Sequence, residues 1–162
     1  MGPTLDRLLK EYKDELRVVF RHFPLGFHDK AHVASQASMA AHAEGKFWEF
    51  HDKIFANQDN IGRSDLERYA KELGLNMSKF KKALDTGKYK AHVDADLAMA
   101  AKVGIDGTPT MVINGRLLVG AEPYDKVKLE LEAALSTARD LITKGTPRKG
   151  FYKSFLAKIP KL

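Results

Sequence analysis

Leu5, Leu8, Leu9 and Tyr12 recur at i, i+3, i+4 and i+7, which predicts an amphipathic helix at the start of the chain. Leu16-Arg17-Val18-Val19-Phe20-Arg21 is β-branched and aromatic, and it predicts a strand over 16–21, ended near Phe23-Pro24. Residues 31–44 are small and helix-favouring, with Val33, Ala37, Ala40 and Ala41 on one side and Gly45 interrupting the pattern. Phe47, Trp48, Phe50, Ile54 and Phe55 follow at mixed helical spacing. This aromatic cluster is expected to pack a core; a peptide-binding groove is the lesser reading. Ser64-Asp65-Leu66-Glu67 reads as a capping box for a helix carrying Leu66, Tyr69, Ala70 and Leu73 to a stop at Gly74. Asn76 is placed to cap a short helix with Phe80 and Leu84, ending at Gly87. A further helix is predicted from about Tyr89 to Val103, with Val93, Leu97, Ala100 and Ala101 inward and Gly104 just past its end.

The pattern then changes period. Thr108-Pro109 leads into a β-branched run, and Asn114-Gly115 closes it. Asn-Gly suits a type I′ turn, which needs positive φ at both central residues. Two strands are therefore predicted, 110–113 and 116–119. Proline at a strand entry removes no ladder donor, and an X-Pro bond there is a place where a cis peptide is affordable. Pro123 suits the first position of a helix lined by Tyr124, Val127, Leu131, Leu135 and Ala138, and Thr146-Pro147 the start of a last short one. Helices between two parts of one small sheet give an α/β class with a helical insertion.

Composition narrows the chemistry. A chain of 162 residues fits one domain with a real core. No apolar run approaches the ~20 residues of a membrane span, and residues 1–6 lack the basic start and apolar stretch of a signal peptide. The formal net charge is +6. No acidic residue follows Asp140, and Lys144, Arg148, Lys149, Lys153, Lys158 and Lys161 match that excess. The basic balance thus describes a tail over 145–162, not a nucleic-acid-binding face. The chain has no cysteine, which excludes disulfides, thiolate catalysis and thiolate metal sites within it.

Four segments, in order, resemble the DsbA-like group of thioredoxin-fold disulfide oxidoreductases and isomerases. They are Arg21-His22-Phe23-Pro24-Leu25 after the first predicted strand, and the run Gly45-Lys46-Phe47-Trp48-Glu49-Phe50-His51-Asp52-Lys53-Ile54-Phe55. Then come Tyr69-Ala70-Lys71-Glu72-Leu73-Gly74-Leu75 and Gly115 to Pro123 after the Thr-Pro loop. The resemblance implies a thioredoxin-like domain over 1–144 with a helical insertion at about 28–103. It implies a cis bond at Thr108–Pro109, and an extended polypeptide held by Gly107, Thr108 and Pro109. It points to an extracytoplasmic setting. The family's first strand and Cys-x-x-Cys turn map to no residue here, and would be expected upstream of the helix at 5–12. The sheet is therefore expected to be N-terminally truncated, with no catalytic residue and no thiol exchange in this chain. The gap between 16–21 and 110–113 should be filled from outside, by a second copy or strand exchange, or by residues after 144. Direct closure of the two strands is the runner-up.

Other chemistry is weaker. His28 and His32 have i, i+4 spacing, but no H-E-x-x-H motif or third ligand accompanies them, so no metal is expected. His51-Asp52 are adjacent on a helix and are read as structural, and His22, His42 and His92 as isolated. Asp94 and Asp96 should point different ways. No phosphate-binding loop or nucleophile elbow implies a cofactor or hydrolase. A peptide- or protein-binding module without catalysis is one alternative. A glutathione-transferase or isomerase relative of the same fold is another, opposed by the lack of serine before the first helix. Phe151, Tyr152, Phe155, Leu156 and Ile159 recur at helical spacing in the tail, as a docking or surface helix would need.

Overall fold

The computed structural model describes residues 2–156. Helices dominate. In chain order they are α1 (Gly2–Tyr12), a 3-10 turn (Lys13–Glu15), α2 (Ala31–His42), α3 (Phe47–Ala56), α4 (Arg63–Glu72), α5 (Met77–Asp85) and α6 (Lys90–Lys102). Strands β1 (Thr110–Ile113) and β2 (Arg116–Val119) follow, then α7 (Tyr124–Thr143) and α8 (Phe151–Leu156). The chain divides into two compact units. One runs from Arg21 to Gly104; the other joins the residues up to Phe20 to those from Ile105 onward.

The 21–104 unit is built around α2. Its buried face of Ala34, Ala37, Ala40 and Ala41 lets neighbouring helices approach, and Phe50, Leu66, Tyr69, Ala70, Leu75, Phe80 and Ala83 fill the space against it. Small residues on one helix with large ones on its neighbours give the interdigitation that close packing needs. Tyr69 is buried with its hydroxyl donating to Asn60 O at 2.8 Å. The ends of the helices are held by specific bonds. Asn76 Oδ1 accepts from Lys79 N at 3.0 Å, as its position predicted. The cap of α4 differs from the expectation. The helix begins at Arg63, so Ser64 lies inside the first turn, and Asp65 accepts the N–H of Gly62 at 3.2 Å. Glu67 bonds Arg63 Nε at 2.6 Å instead.

The second unit is organised around the hairpin. Asn114 (φ 46) and Gly115 (φ 93) both take positive φ, the geometry of a type I′ turn. The pairs are Thr110↔Val119, Met111↔Leu118, Val112↔Leu117 and Ile113↔Arg116. Leu118 is buried, and Arg116 Nη1 donates to Glu130 on α7 at 2.9 Å. Helix α1 meets α7 largely through polar groups. Tyr12 Oη donates to Glu132 Oε1 at 2.8 Å, Arg139 bonds Glu15 at 2.8 Å, and Glu11 takes Lys128 and Tyr124. The Arg7 guanidinium sits 3.6 Å from the Tyr124 ring centre. Burial and the Glu132 carboxylate push the Tyr12 phenol up to about 12. Contact with Lys128 and Tyr124 lowers the Glu11 carboxyl.

Several expectations need correction. Residues 16–25 form neither helix nor strand. Leu16 is extended (φ −116, ψ 129), and positions 16, 18 and 20 are less exposed than 17 and 19, so the alternation of a strand persists. A strand also needs a partner ladder, and among the described residues the sheet holds β1 and β2 alone. Direct closure of 16–21 onto 110–113 therefore does not occur. Val33 on α2 and Ala101 on α6 are exposed. Ala34, Gln36 and Ser38 are buried, because the face of α2 that meets α3 to α6 is wider than a single stripe. Leu9 is exposed, leaving Leu8 as the buried residue of α1. Of the aromatic cluster only Phe50 is fully buried; Trp48 and Phe55 are 46% and 54% exposed, on the outward side of α3. Pro123 is the cap of α7 rather than its first residue. The last helix starts at Phe151, after Gly150 at φ +75, and not at Thr146. In the tail Phe151 and Phe155 stack at 5.7 Å, while Lys158, Ile159 and Lys161 lie outside the described residues.

Candidate functional site

The loop before β1 carries the sequence-predicted site. The bond between Thr108 and Pro109 is cis. Both residues are exposed, and Gly107 is half-buried. Thr110 Oγ1 donates to Gly107 O at 2.7 Å, which ties the loop to the first residue of the strand. Pro109 O accepts from Gly120 N at 2.8 Å, so the hairpin ladder extends back to the proline. The result is a short loop held at both ends that presents Thr108 to solvent. No charged group lies between Gly107 and Ile113, so the loop offers backbone groups and apolar surface rather than an ion-pair site.

A second polar centre lies wholly within the 21–104 unit. Asp96 is buried on α6; its Oδ2 accepts His22 N at 2.9 Å and its Oδ1 accepts Arg21 Nη1 at 3.0 Å. These bonds fasten the Arg-His-Phe-Pro turn to α6 and satisfy a carboxylate that burial alone would disfavour. His22 is 5% exposed and meets the Phe47 ring edge-on at 6.0 Å. Burial pushes its imidazole down to about 4, against the attraction of Asp96, so His22 is neutral at pH 7. It is therefore not the isolated histidine expected from sequence. The i, i+2 spacing of Asp94 and Asp96 does send them to different partners.

Asp94 belongs to a neighbouring chain of bonds. Gln36 Nε2 donates to His32 Nδ1 at 3.1 Å, His32 Nε2 donates to Asp94 Oδ1 at 2.8 Å, and Lys90 Nζ donates to Asp94 Oδ2 at 2.6 Å. Lys90 and His32 lower the Asp94 carboxyl. With both ring nitrogens engaged, His32 links α2 to α6 and offers no lone pair to a substrate. His28 joins none of this; its ring lies 4.5 Å from Phe27. His51 Nδ1 and Asp52 Oδ1 are 2.9 Å apart, contrary to the expectation that neighbours on a helix do not meet. Asp52 is exposed, and such a pair contributes little to stability. Among the described residues no three His, Asp or Glu side chains could hold a metal ion together.

The model of the DSBA-like thioredoxin domain matches residues 1–132. The chain belongs to this family. A largely helical domain with a small two-stranded sheet is compatible with its α/β thioredoxin-like fold. Among curated proteins, the DsbA-like chain is 34% identical to the Na(+)/H(+) antiporter NhaA 3 of Salinispora tropica over 85% of its own length and 21% of that protein. It is 38% identical to the Na(+)/H(+) antiporter NhaA of Herminiimonas arsenicoxydans over 80% of its length and 20% of that protein. The chain thus spans about a fifth of the length of the curated relatives it matches. No solved structure matches it. Among the described residues no helix is long and apolar enough to cross a membrane.

The Asp96 centre was missed from sequence. Its signal was there: an aspartate in phase with Val93 on the inward side of a helix, and an arginine-histidine pair leaving an extended segment. Neither identifies the other without the fold.

Proposed function

We propose that this DsbA-like domain, residues 1–144, holds extended polypeptide at Gly107, Thr108 and Pro109 without exchanging disulfides, and that 145–162 is a basic tail. The observation that carries this reading is the pairing of the family's domain with a chain of no cysteine. Thiol–disulfide exchange needs a thiolate to attack a sulfur, and no residue here supplies one. What remains is the exposed, uncharged loop at the entry of β1. Its backbone groups suit an extended chain better than a small charged ligand. The ion exchange in the relatives' names is not carried over. The match covers about a fifth of each.

Two measurements test this. Insulin reduction and refolding of a reduced, disulfide-requiring protein should proceed at the buffer rate in the presence of the domain. Fluorescence anisotropy with a labelled, reduced and alkylated unfolded protein should give saturable binding. Thiol exchange above buffer, or no binding at millimolar domain, overturns the proposal.

A further inference from the structure

Gln36 on α2 stands between two neighbours with opposite needs. It is 9% exposed. Its Nε2 donates to His32 Nδ1 at 3.1 Å, and its Oε1 is buried with no hydrogen-bond partner among the described residues. That oxygen lies at the turn between α5 and α6, 3.8 Å from the place a Cβ on Gly87 would take. The turn has spent its donors: the amides of Thr86, Gly87, Lys88 and Lys90 donate to Lys82 O, Leu84 O, Ala83 O and Gly87 O. Ala83 O, Leu84 O and Gly87 O each have a second lone pair. These surroundings suit an NH2 group where the oxygen sits, and a buried acceptor without a donor keeps the full cost of its desolvation. The orientation is set from the other end, by the imidazole. Asp94 accepts from Lys90 Nζ at 2.6 Å and from His32 Nε2 at 2.8 Å. Lys90, and then His32, lowers the Asp94 carboxyl, so it stays an acceptor through the range in which histidines titrate. A neutral ring facing such a carboxylate carries its one proton on Nε2. Its Nδ1 is left as a lone pair that requires a donor.

We propose that Gln36 is a proton-driven two-position switch: when His32 Nδ1 takes up a proton, the amide turns over, its oxygen accepts the new N–H, and its NH2 group ties α2 to the α5–α6 turn. The proton comes from solvent, and no other covalent bond forms or breaks. With His32 neutral, the Nδ1 lone pair holds the NH2 group and leaves the oxygen against spent donors. With His32 charged, both ring nitrogens donate, one to Asp94 and one to Gln36, and the NH2 group meets the free lone pairs of the turn. The amide has two faces and one of two ways to present them, so the response is a change between discrete arrangements. The other charged or titratable groups around His32 are Asp94 and Lys90 on α6, His22 ahead of α2, and His28, Asp29 and Lys30 beside it in the chain. Among the described residues no side chain of α3, α4 or α5 bonds to His32. His22, whose imidazole burial pushes down to about 4, stays neutral while His32 titrates. The device lies wholly within the 21–104 unit and does not depend on the polypeptide-binding reading.

The test follows the whole isotope-labelled chain by NMR from about pH 8 to about pH 5. The Gln36 NH2 signals are expected to shift with the same midpoint as the carbon-bound ring protons of His32. Long-range proton–nitrogen spectra should show the His32 proton on Nε2 alone at the upper end and on both nitrogens at the lower. A neutral ring protonated on Nδ1 overturns the proposal. So do Gln36 NH2 signals that stay still while His32 titrates. Two variants sharpen the reading. In Asp94→Asn the ring no longer faces an obligate acceptor, so the neutral ring gains the Nδ1–H tautomer and the Gln36 response should be largely lost. An undiminished response there would overturn the proposal, because Asp94 would not be what sets the amide. In His22→Gln the response should persist at the His32 midpoint; its loss would make His22 the trigger and overturn the proposal as well. If either variant fails to fold, the titration of the parent protein decides by itself.

Discussion

The two units of this chain are held by different physics. In 21–104, an alanine face on α2 is covered by Phe50, Leu66, Tyr69 and Phe80, each at most 1% exposed. In the other unit, α1 is fastened to α7 by ion pairs and aromatic–cation contacts at the surface, and the hairpin keeps one aliphatic face in solvent. Apolar burial of this kind is insensitive to salt and to pH, whereas exposed ion pairs contribute little and are screened. The helical unit pairs its buried Asp96 carboxylate, and leaves Gln36 Oε1 buried without a hydrogen-bond partner among the described residues. The hairpin unit keeps Val112, Leu117 and Val119 exposed.

The contrast is broken most directly in the core. Phe50→Ala should lower stability by about 3–5 kcal/mol, read by urea unfolding, because a fully buried ring is lost and a cavity remains. A loss under 1 kcal/mol would mean that the helical unit is not the better-packed region. The next effect is pH-dependent. Burial holds His22 neutral, so the unfolded chain binds a proton there more readily than the folded one. Stability should therefore fall as pH drops from about 6.5 to about 4, by on the order of 3 kcal/mol from this group. His22→Gln should flatten that part of the profile relative to the parent, whatever the acidic residues do in both proteins; parallel profiles would remove His22 from the account. Asn76→Ala should cost about 1 kcal/mol through the lost cap of α5. At the small end, Val119→Thr on the exposed hairpin face should change stability by no more than about 0.5 kcal/mol. A larger loss would show that this face is covered in solution. Raising salt from 0.1 to 1 M should loosen protection of α1 amides in hydrogen exchange more than that of α2 amides, by screening the Glu11–Lys128 and Glu15–Arg139 pairs.

The sequence by itself determined the local elements. Asn114-Gly115, Asn76, Gly104 and the apolar periods act over a few residues, through φ preference, capping and helix geometry, so the hairpin, α5, α6 and α7 could be placed without a fold. Family membership was legible for the same reason, in ordered motifs from Arg21 to Pro123. Wherever the outcome depended on a distant partner, only the tertiary structure decided. Residues 16–21 have the composition and alternating burial of a strand but no ladder to join. Trp48 and Phe55 have the composition of a core but lie on the far side of α3 from Phe50. Ser64 lost its capping role to a helix that starts two residues earlier, with Gly62 as its cap. Asp96 and His22, 74 positions apart, became one buried polar centre because the fold brought a carboxylate to an amide that water could no longer reach. Local preferences act through neighbours in the chain, whereas burial and pairing act through neighbours in space.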